Sequence, residues 1–154
     1  MVEGVALRPI QREDLPSVRD LLSQAGLPLA GVEGSFSGFL AVERGGRPVG
    51  TVGVETAETT GMVRSLAVEE GRRGRGIGDA LLRRAEEALR AAGIAEAWVL
   101  TETAGAFFVS RGYRDEPRSS LPPTLTGRSV LAEVCPCSCR CLRKSLGPEK
   151  TSPS

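Results

Sequence analysis

The chain has 154 residues, enough for one domain with a single sizeable core. Its 40% hydrophobic and 25% charged residues are those of a soluble globular chain, not a disordered one, and a net charge of +1 argues against a general nucleic-acid or membrane-surface role. Apolar runs fall far short of a bilayer span and the N-terminus lacks the apolar core of a signal peptide, so the expected compartment is the cytoplasm.

Aromatic residues make up 4% of the chain, so the core must rest on Leu, Val and Ala. There is no histidine. That removes the commonest general base and the commonest metal ligand together. Acid–base work falls to Glu, Asp, Tyr, Cys or water.

No internal repeat or dividing linker is visible, which predicts one domain over residues 1–146 and a disordered tail over 147–154. Residues 5–9 read as a first strand. Leu15, Val18, Leu21, Leu22 and Ala25 then fall at helical spacing, with Glu13 and Asp14 near the start and Gly26 past the end. Residues 27–37 read as a loop. Phe39 to Glu43 and Pro48 to Glu55 flank Arg44-Gly45-Gly46-Arg47, a hairpin signal. A turn near Thr59-Thr60-Gly61 leads to a central strand, Met62 to Val68.

Ile77 to Ala92 is the clearest helix. Ile77, Leu81, Ala85, Ala88, Leu89 and Ala92 line one face, and Arg83, Glu86, Glu87 and Arg90 cover the other. Residues 95–101 read as a strand, 103–111 as a short helix, Gly112-Tyr113 as the start of another strand, and 130–143 as the last. Strands alternating with helices, with hairpins in front, predict an α/β protein with a mixed sheet.

The chemistry concentrates in Arg72-Arg73-Gly74-Arg75-Gly76-Ile77-Gly78, between a strand and an amphipathic helix. Glycines let the backbone approach a ligand closely. The helix behind them offers unpaired N–H groups and the positive end of its dipole, a site for phosphate or pyrophosphate. A kinase-type phosphate loop needs Lys and then Ser or Thr after its last glycine, and Ile77-Gly78 stand there instead. A dinucleotide fingerprint needs Gly-x-Gly-x-x-Gly with an acidic residue about 20 positions on. Here the spacing is Gly-x-Gly-x-Gly, and position 98 is Trp.

Arg73-x-x-Gly76-x-Gly78 does resemble the pyrophosphate loop of the GNAT acetyltransferase superfamily. Arg64-Ser65-Leu66-Ala67-Val68 is similar to that family's central strand, and Ala104-x-x-Phe107-Phe108-x-x-x-Gly112-Tyr113 to the helix and strand closing its cofactor half. With Arg8-Pro9 and Asp14, the likeness covers roughly residues 5 to 143. Within the superfamily, Arg64-Ser65-Leu66, the Ala104–Tyr113 helix and the ending Cys135-Pro136-x-Ser138 before Leu142-Arg143-Lys144 look closest to N-acetyltransferases of arsenic-resistance operons (the ArsN type), relatives of which act on glutamate-like amino acids carrying phosphinate or organoarsenical groups.

The resemblance implies a mostly antiparallel sheet with a splayed central strand and flanking helices, acetyl-CoA as co-substrate without a metal, a homodimer, and a small-molecule amine as partner. It implies that Leu66, Ala67 and Val68 hold the pantetheine arm, that Arg73, Gly74, Arg75, Gly76, Ile77 and Gly78 hold the pyrophosphate, and that Phe107 lies in the cofactor half.

Acetyl transfer needs a deprotonated amine, and an alkyl amine has a pKa near about 10.4. A carboxylate, directly or through water, would serve as base. Glu55 is the first choice and Glu102 the second. Family members use a tyrosine to protonate the departing thiolate, and Phe108 stands at that position. With a thiol pKa near about 8.5, the loss is on the order of 2 kcal/mol at most. An anionic amino-acid acceptor would need a cation, for which Arg64, then Arg8 and Arg111, are candidates. Strand alternation sends Arg64 and Ser65 to opposite faces.

Cys135, Cys137, Cys139 and Cys141 alternate strictly, so on one strand their thiols share a face about 6.6 Å apart. Core packing accounts for them; a soft ion or redox chemistry is the alternative. Two other functions stay open beside the enzyme: a non-catalytic acyl-CoA-binding module, and a thiol-based metalloid binder.

Overall fold

In the computed structural model, which describes residues 6–29, 32, 38–74, 76–128 and 139–147, two consecutive glycines set the first hairpin. Gly45 (φ 62°) and Gly46 (φ 82°) take left-handed backbone one after the other. That is the turn whose twist matches the strands it joins, and glycine adopts it at least cost. It links β2 (Phe39–Arg44) to β3 (Arg47–Ala57). Their antiparallel register runs from Phe39↔Gly53 to Arg44↔Arg47, slipping by a bulge at Val42/Glu43. β1 (Ala6–Pro9) pairs antiparallel with β2.

The remaining elements are α1 (Leu15–Gln24), β4 (Thr60–Val68), α2 (Ile77–Ala91), β5 (Glu96–Thr101), α3 (Gly105–Val109), β6 (Arg114–Asp115), α4 (Pro123–Arg128) and β7 (Arg140–Ser145). The seven strands order as β1-β2-β3-β4-β5-β7-β6. β4 and β5 are the parallel pair, and β5–β7 and β6–β7 are antiparallel. Among the described residues the β4–β5 register covers Thr60↔Glu96, Gly61↔Ala97 and Met62↔Trp98, although both strands run on. This is the mixed, mostly antiparallel α/β sheet with flanking helices that the family resemblance implies.

The chain divides into two units, Met1–Val54 with Arg64–Ala85, and Glu55–Val63 with Glu86–Ser154. In the first, Val18, Leu22, Phe39 and Ala41 are fully buried, and each large one stabilises by about 1.5–3 kcal/mol over an exposed counterpart. A Cβ at Gly53 would lie 2.5 Å from the Phe39 ring, so that glycine makes the space the ring fills. Asp14 receives the Gln11 backbone N–H at 2.7 Å and the Arg8 guanidinium at 2.7 and 3.0 Å. It thereby fastens the entry of α1 to β1.

In the second unit Met62, Trp98, Leu121, Leu125, Cys139 and Cys141 pack together. The Tyr113 hydroxyl donates at 2.8 Å to Glu86, which also receives Lys144 Nζ at 3.1 Å. A buried phenol and carboxylate and a half-buried ammonium satisfy one another there.

Some expectations shift. Gly61 lies within β4 and not in the turn, which is made by Glu58 and Thr59 with Glu58 left-handed at φ 57°. Gly61 serves packing: a Cβ there would meet Leu89 at 2.8 Å. The strand after Tyr113 is two residues long, and α4 was not anticipated because Pro122-Pro123-Thr124-Leu125 lacks a helical apolar stripe. The last strand is Arg140–Ser145, not 130–143. Residues 130–138 of that expectation and 148–154 of the expected tail lie outside the described residues, as do Cys135 and Cys137.

Candidate active site

β4 delivers the chain to the glycine loop. After Val68, a 3-10 turn at Glu70–Arg72 is held by the Arg72 N–H on the Glu69 carbonyl at 2.9 Å. Glu69 anchors this corner. Its N–H donates to the Val49 carbonyl at 2.8 Å, and its carboxylate receives Arg47 and Arg72 at 3.0 Å each. The Arg47 hydrogen bond above all holds the Glu69 carboxyl below its ordinary range. Arg73 folds back, its Nε donating to the Val68 carbonyl at 3.0 Å.

Gly74 (φ 81°) and Gly76 (φ 82°) are both left-handed, and a Cβ at either would meet nothing within 4 Å. Backbone conformation alone therefore demands glycine at both, and the loop lies open. Arg75 falls outside the described residues. Ile77 is buried at 2% exposure and pins the start of α2, whose Ala80 N–H donates to the Gly76 carbonyl at 3.0 Å. The N–H groups of the first turn, Ile77 and Gly78 among them, have no acceptor within the helix. A residue missed by the sequence reasoning makes this possible. A Cβ at Gly50 on β3 would lie 3.1 Å from both Ile77 and Leu81, so Gly50 lets α2 come down close to the strand. Only its apolar neighbours Val49 and Val52 hinted at a packing role.

Along β4, Leu66 and Val68 are half-buried and Ala67 is buried. Ser65 stands left-handed inside the strand, at φ 60°. For a non-glycine residue that costs on the order of 1–3 kcal/mol. It also overturns the expected alternation: Arg64 Nε donates to Ser65 Oγ at 2.9 Å, so neighbouring side chains meet. Arg64 is 3% exposed, with its guanidinium 5.8 Å from the Phe39 ring centroid. Arg8, the other candidate cation of this unit, is paired with Asp14 and Glu43.

The remaining candidates belong to the second unit. Glu55 is half-buried in β3, two residues before its end. Its carbonyl lies 3.4 Å from where a Cβ on Gly61 would stand, one position before the last β4–β5 pair. Glu102 is exposed in the bend after β5. It lies five residues past Ala97, the register partner of Gly61, or roughly 16 Å along the strand. The structure does not bring the two carboxylates together.

Phe107 is half-buried and packs edge-on to Phe108, with the Arg111 guanidinium 3.8 Å over its ring. Arg111 also donates to the Phe107 carbonyl and the Ser110 hydroxyl at 3.0 and 2.9 Å. Phe108 is buried at 4% exposure, edge-on to Tyr113. Burial and the facing Glu86 carboxylate push the Tyr113 phenol far above its ordinary range, fixing it as a protonated donor. Burial likewise raises the Cys141 thiol, which disfavours a thiolate. Among the described residues no group of three or more His, Cys, Asp or Glu side chains is placed to hold a metal, and no helix is long and apolar enough to cross a membrane.

A glycine-rich loop leading from a strand into a helix N-terminus defines a class of α/β proteins that bind phosphate-bearing ligands through backbone. The profile of the acetyltransferase (GNAT) domain matches residues 35–115, and the chain belongs to the GNAT acetyltransferase family. No curated protein matches. Among solved structures, N-acetylglutamate synthase from Neisseria gonorrhoeae, complexed with coenzyme A and N-acetyl-glutamate, is 23% identical with a TM-score of 0.81, over 95% of this chain and 36% of that one. The chain therefore spans about a third of that protein's length. Rv2747 from Mycobacterium tuberculosis, in complex with CoA and NLQ, is 18% identical (TM-score 0.73; 91% and 98% covered). A GNAT-family acetyltransferase from Staphylococcus aureus Mu50 is 17% identical (TM-score 0.76; 92% and 99% covered). At these identities the likeness is one of fold.

Proposed function

We propose that the chain transfers the acetyl group of acetyl-CoA to the amine of a small, glutamate-shaped amino acid, by direct attack in a ternary complex. The observation that carries this is the left-handed Gly74 and Gly76 at the N-terminus of α2, reached from β4 through the 3-10 turn at Glu70–Arg72. The amides of Gly74, Gly76, Ile77 and Gly78 suit the pyrophosphate, and the peptides of Leu66, Ala67 and Val68 suit the pantetheine arm.

In the reaction the amine lone pair attacks the thioester carbonyl, and the tetrahedral intermediate collapses with loss of the C–S bond to CoA thiolate. The amine proton passes to Glu55, directly or through water, and then to solvent. Glu55 is chosen over Glu102 because it is half-buried beside the last β4–β5 pair, whereas Glu102 stands in solvent. The thiolate leaves without a protein acid: Phe108 carries no proton, and the Tyr113 hydroxyl is spent on Glu86. A thiol pKa near about 8.5 makes that tolerable.

A glutamate-shaped acceptor is supported by the N-acetyl-glutamate held by the Neisseria enzyme. Its carboxylate would meet Arg111, since Arg8 is neutralised by two carboxylates and Arg64 is buried. The ArsN-type likeness extends the acceptors to glutamate analogues bearing phosphinate or arsinate groups. Buried Phe108 favours a second reading, a non-catalytic acyl-CoA-binding module.

The test is thiol release from acetyl-CoA with L-glutamate, L-glutamine and the phosphinate and arsinate analogues, repeated with Glu55→Gln and Glu102→Gln. We expect turnover of an anionic acceptor, lost on the order of 100-fold in Glu55→Gln and kept in Glu102→Gln. Acetyl-CoA binding without turnover of any amine would establish the binding module instead.

A further inference from the structure

Among the described residues, two that are not glycine adopt left-handed backbone: Glu58, in a two-residue turn where that is ordinary, and Ser65, inside β4. A strained residue in mid-strand persists only where its surroundings over-determine it. Here the surroundings are Arg64. Its Nε donates to Ser65 Oγ at 2.9 Å, its guanidinium lies 5.8 Å from the centre of the Phe39 ring, and it is 3% exposed. In a regular strand these adjacent side chains would point to opposite faces, whereas beside the left-handed Ser65 they meet. Bond and backbone conformation hold each other.

We propose that Arg64 is a positioning residue for the cofactor. Clamped against Phe39, it holds Ser65 left-handed and so sets the direction of the peptides of Leu66, Ala67 and Val68 that follow. This rests on the reading that those peptides take the pantetheine arm of acetyl-CoA. Its burial and its engagement with Ser65 oppose the alternative in which Arg64 grips the acceptor's carboxylate. Without the clamp, β4 relaxes toward an extended strand, and acetyl-CoA must restore the kink when it binds.

The experiment is calorimetric titration of acetyl-CoA into the wild-type chain and into Ser65→Ala, Ser65→Gly, Arg64→Met and the double variant Arg64→Met/Ser65→Gly. Both serine variants lose the hydroxyl, but only glycine takes φ near 60° without strain. Ser65→Ala and Arg64→Met should each weaken binding about tenfold. Ser65→Gly should bind within about twofold of wild type, and glycine should restore most of the affinity lost in Arg64→Met. A role limited to core stability predicts no such rescue. Equal weakening in Ser65→Ala and Ser65→Gly, or wild-type affinity throughout, overturns the proposal while leaving acetyl-CoA binding intact. If Arg64→Met does not fold, Arg64→Lys alone and with Ser65→Gly takes its place, with the same weakening and the same rescue by glycine expected, and no rescue overturning the proposal. A wild-type chain that binds no acetyl-CoA overturns the functional reading beneath it.

Discussion

Asp14 shows how one carboxylate ties three pieces of chain together. It accepts the Gln11 N–H at the mouth of α1 and a two-pronged bond from Arg8, which also holds Glu43 of β2. The Arg8 hydrogen bond above all lowers its folded pKa. A lowered carboxylate contributes stability that is fully present above the unfolded value of about 3.9 and is lost as pH falls through the folded value. Asp14→Asn should therefore cost about 1–3 kcal/mol at pH 7, read by denaturant unfolding, and flatten the loss of stability below about pH 4. Tyr113 separates structure from chemistry. Tyr113→Phe removes the hydrogen bond to Glu86 and should cost about 1 kcal/mol of stability with kcat unchanged. A large fall in kcat in a folded Tyr113→Phe protein would return that hydroxyl to the reaction.

At the scale of elements, the decisive contacts are made where side chains are missing. Gly50 admits α2 to β3, and a Val there would place its Cβ 3.1 Å from Ile77 and Leu81. Gly50→Val should cost about 1–3 kcal/mol by overpacking and raise KM for acetyl-CoA, because it displaces the helix start that carries the loop. The loop itself was legible: Gly74 and Gly76 stand at fixed spacing before a strongly amphipathic helix, and both require left-handed backbone. So was the first hairpin, since Gly45-Gly46 specifies its own turn. The kink at Ser65 was not, because serine gives no local signal for positive φ and the arginine–ring contact that holds it joins β4 to β2. Gly61 misled for a related reason: glycine marks turns and tight packing alike, and only Leu89 distinguishes them. The cysteine alternation gave a shared buried face for Cys139 and Cys141, which is what the structure has for that pair. Burial, which raises the Cys141 thiol, leaves it poorly suited to redox or metal chemistry.

At the scale of the whole molecule, the chain belongs to the GNAT acetyltransferase family by a domain match over residues 35–115. The mixed, mostly antiparallel sheet was implied by linked motifs in the right sequence order, not by any single one, whereas the strand order β1-β2-β3-β4-β5-β7-β6 was not foreseen. Cations for an acceptor carry no comparable pattern: the sequence put Arg64 ahead of Arg8 and Arg111, and the structure buries Arg64 and pairs Arg8 with Asp14 and Glu43. Arg111, held over the Phe107 ring, is the one proposed for the acceptor's carboxylate. Arg111→Ala should raise KM for an anionic acceptor about tenfold while leaving KM for acetyl-CoA within about twofold.

The account turns on the glycine loop as the seat of the acetyl-CoA pyrophosphate. Its most direct test is titration of acetyl-CoA into the wild-type chain and into Gly74→Val and Gly76→Val, with folding checked by thermal melting. Binding to the wild type, weakened about tenfold or more in each variant while both stay folded, is the predicted result. Equal affinity in all three, or no binding to the wild-type chain, would contradict it.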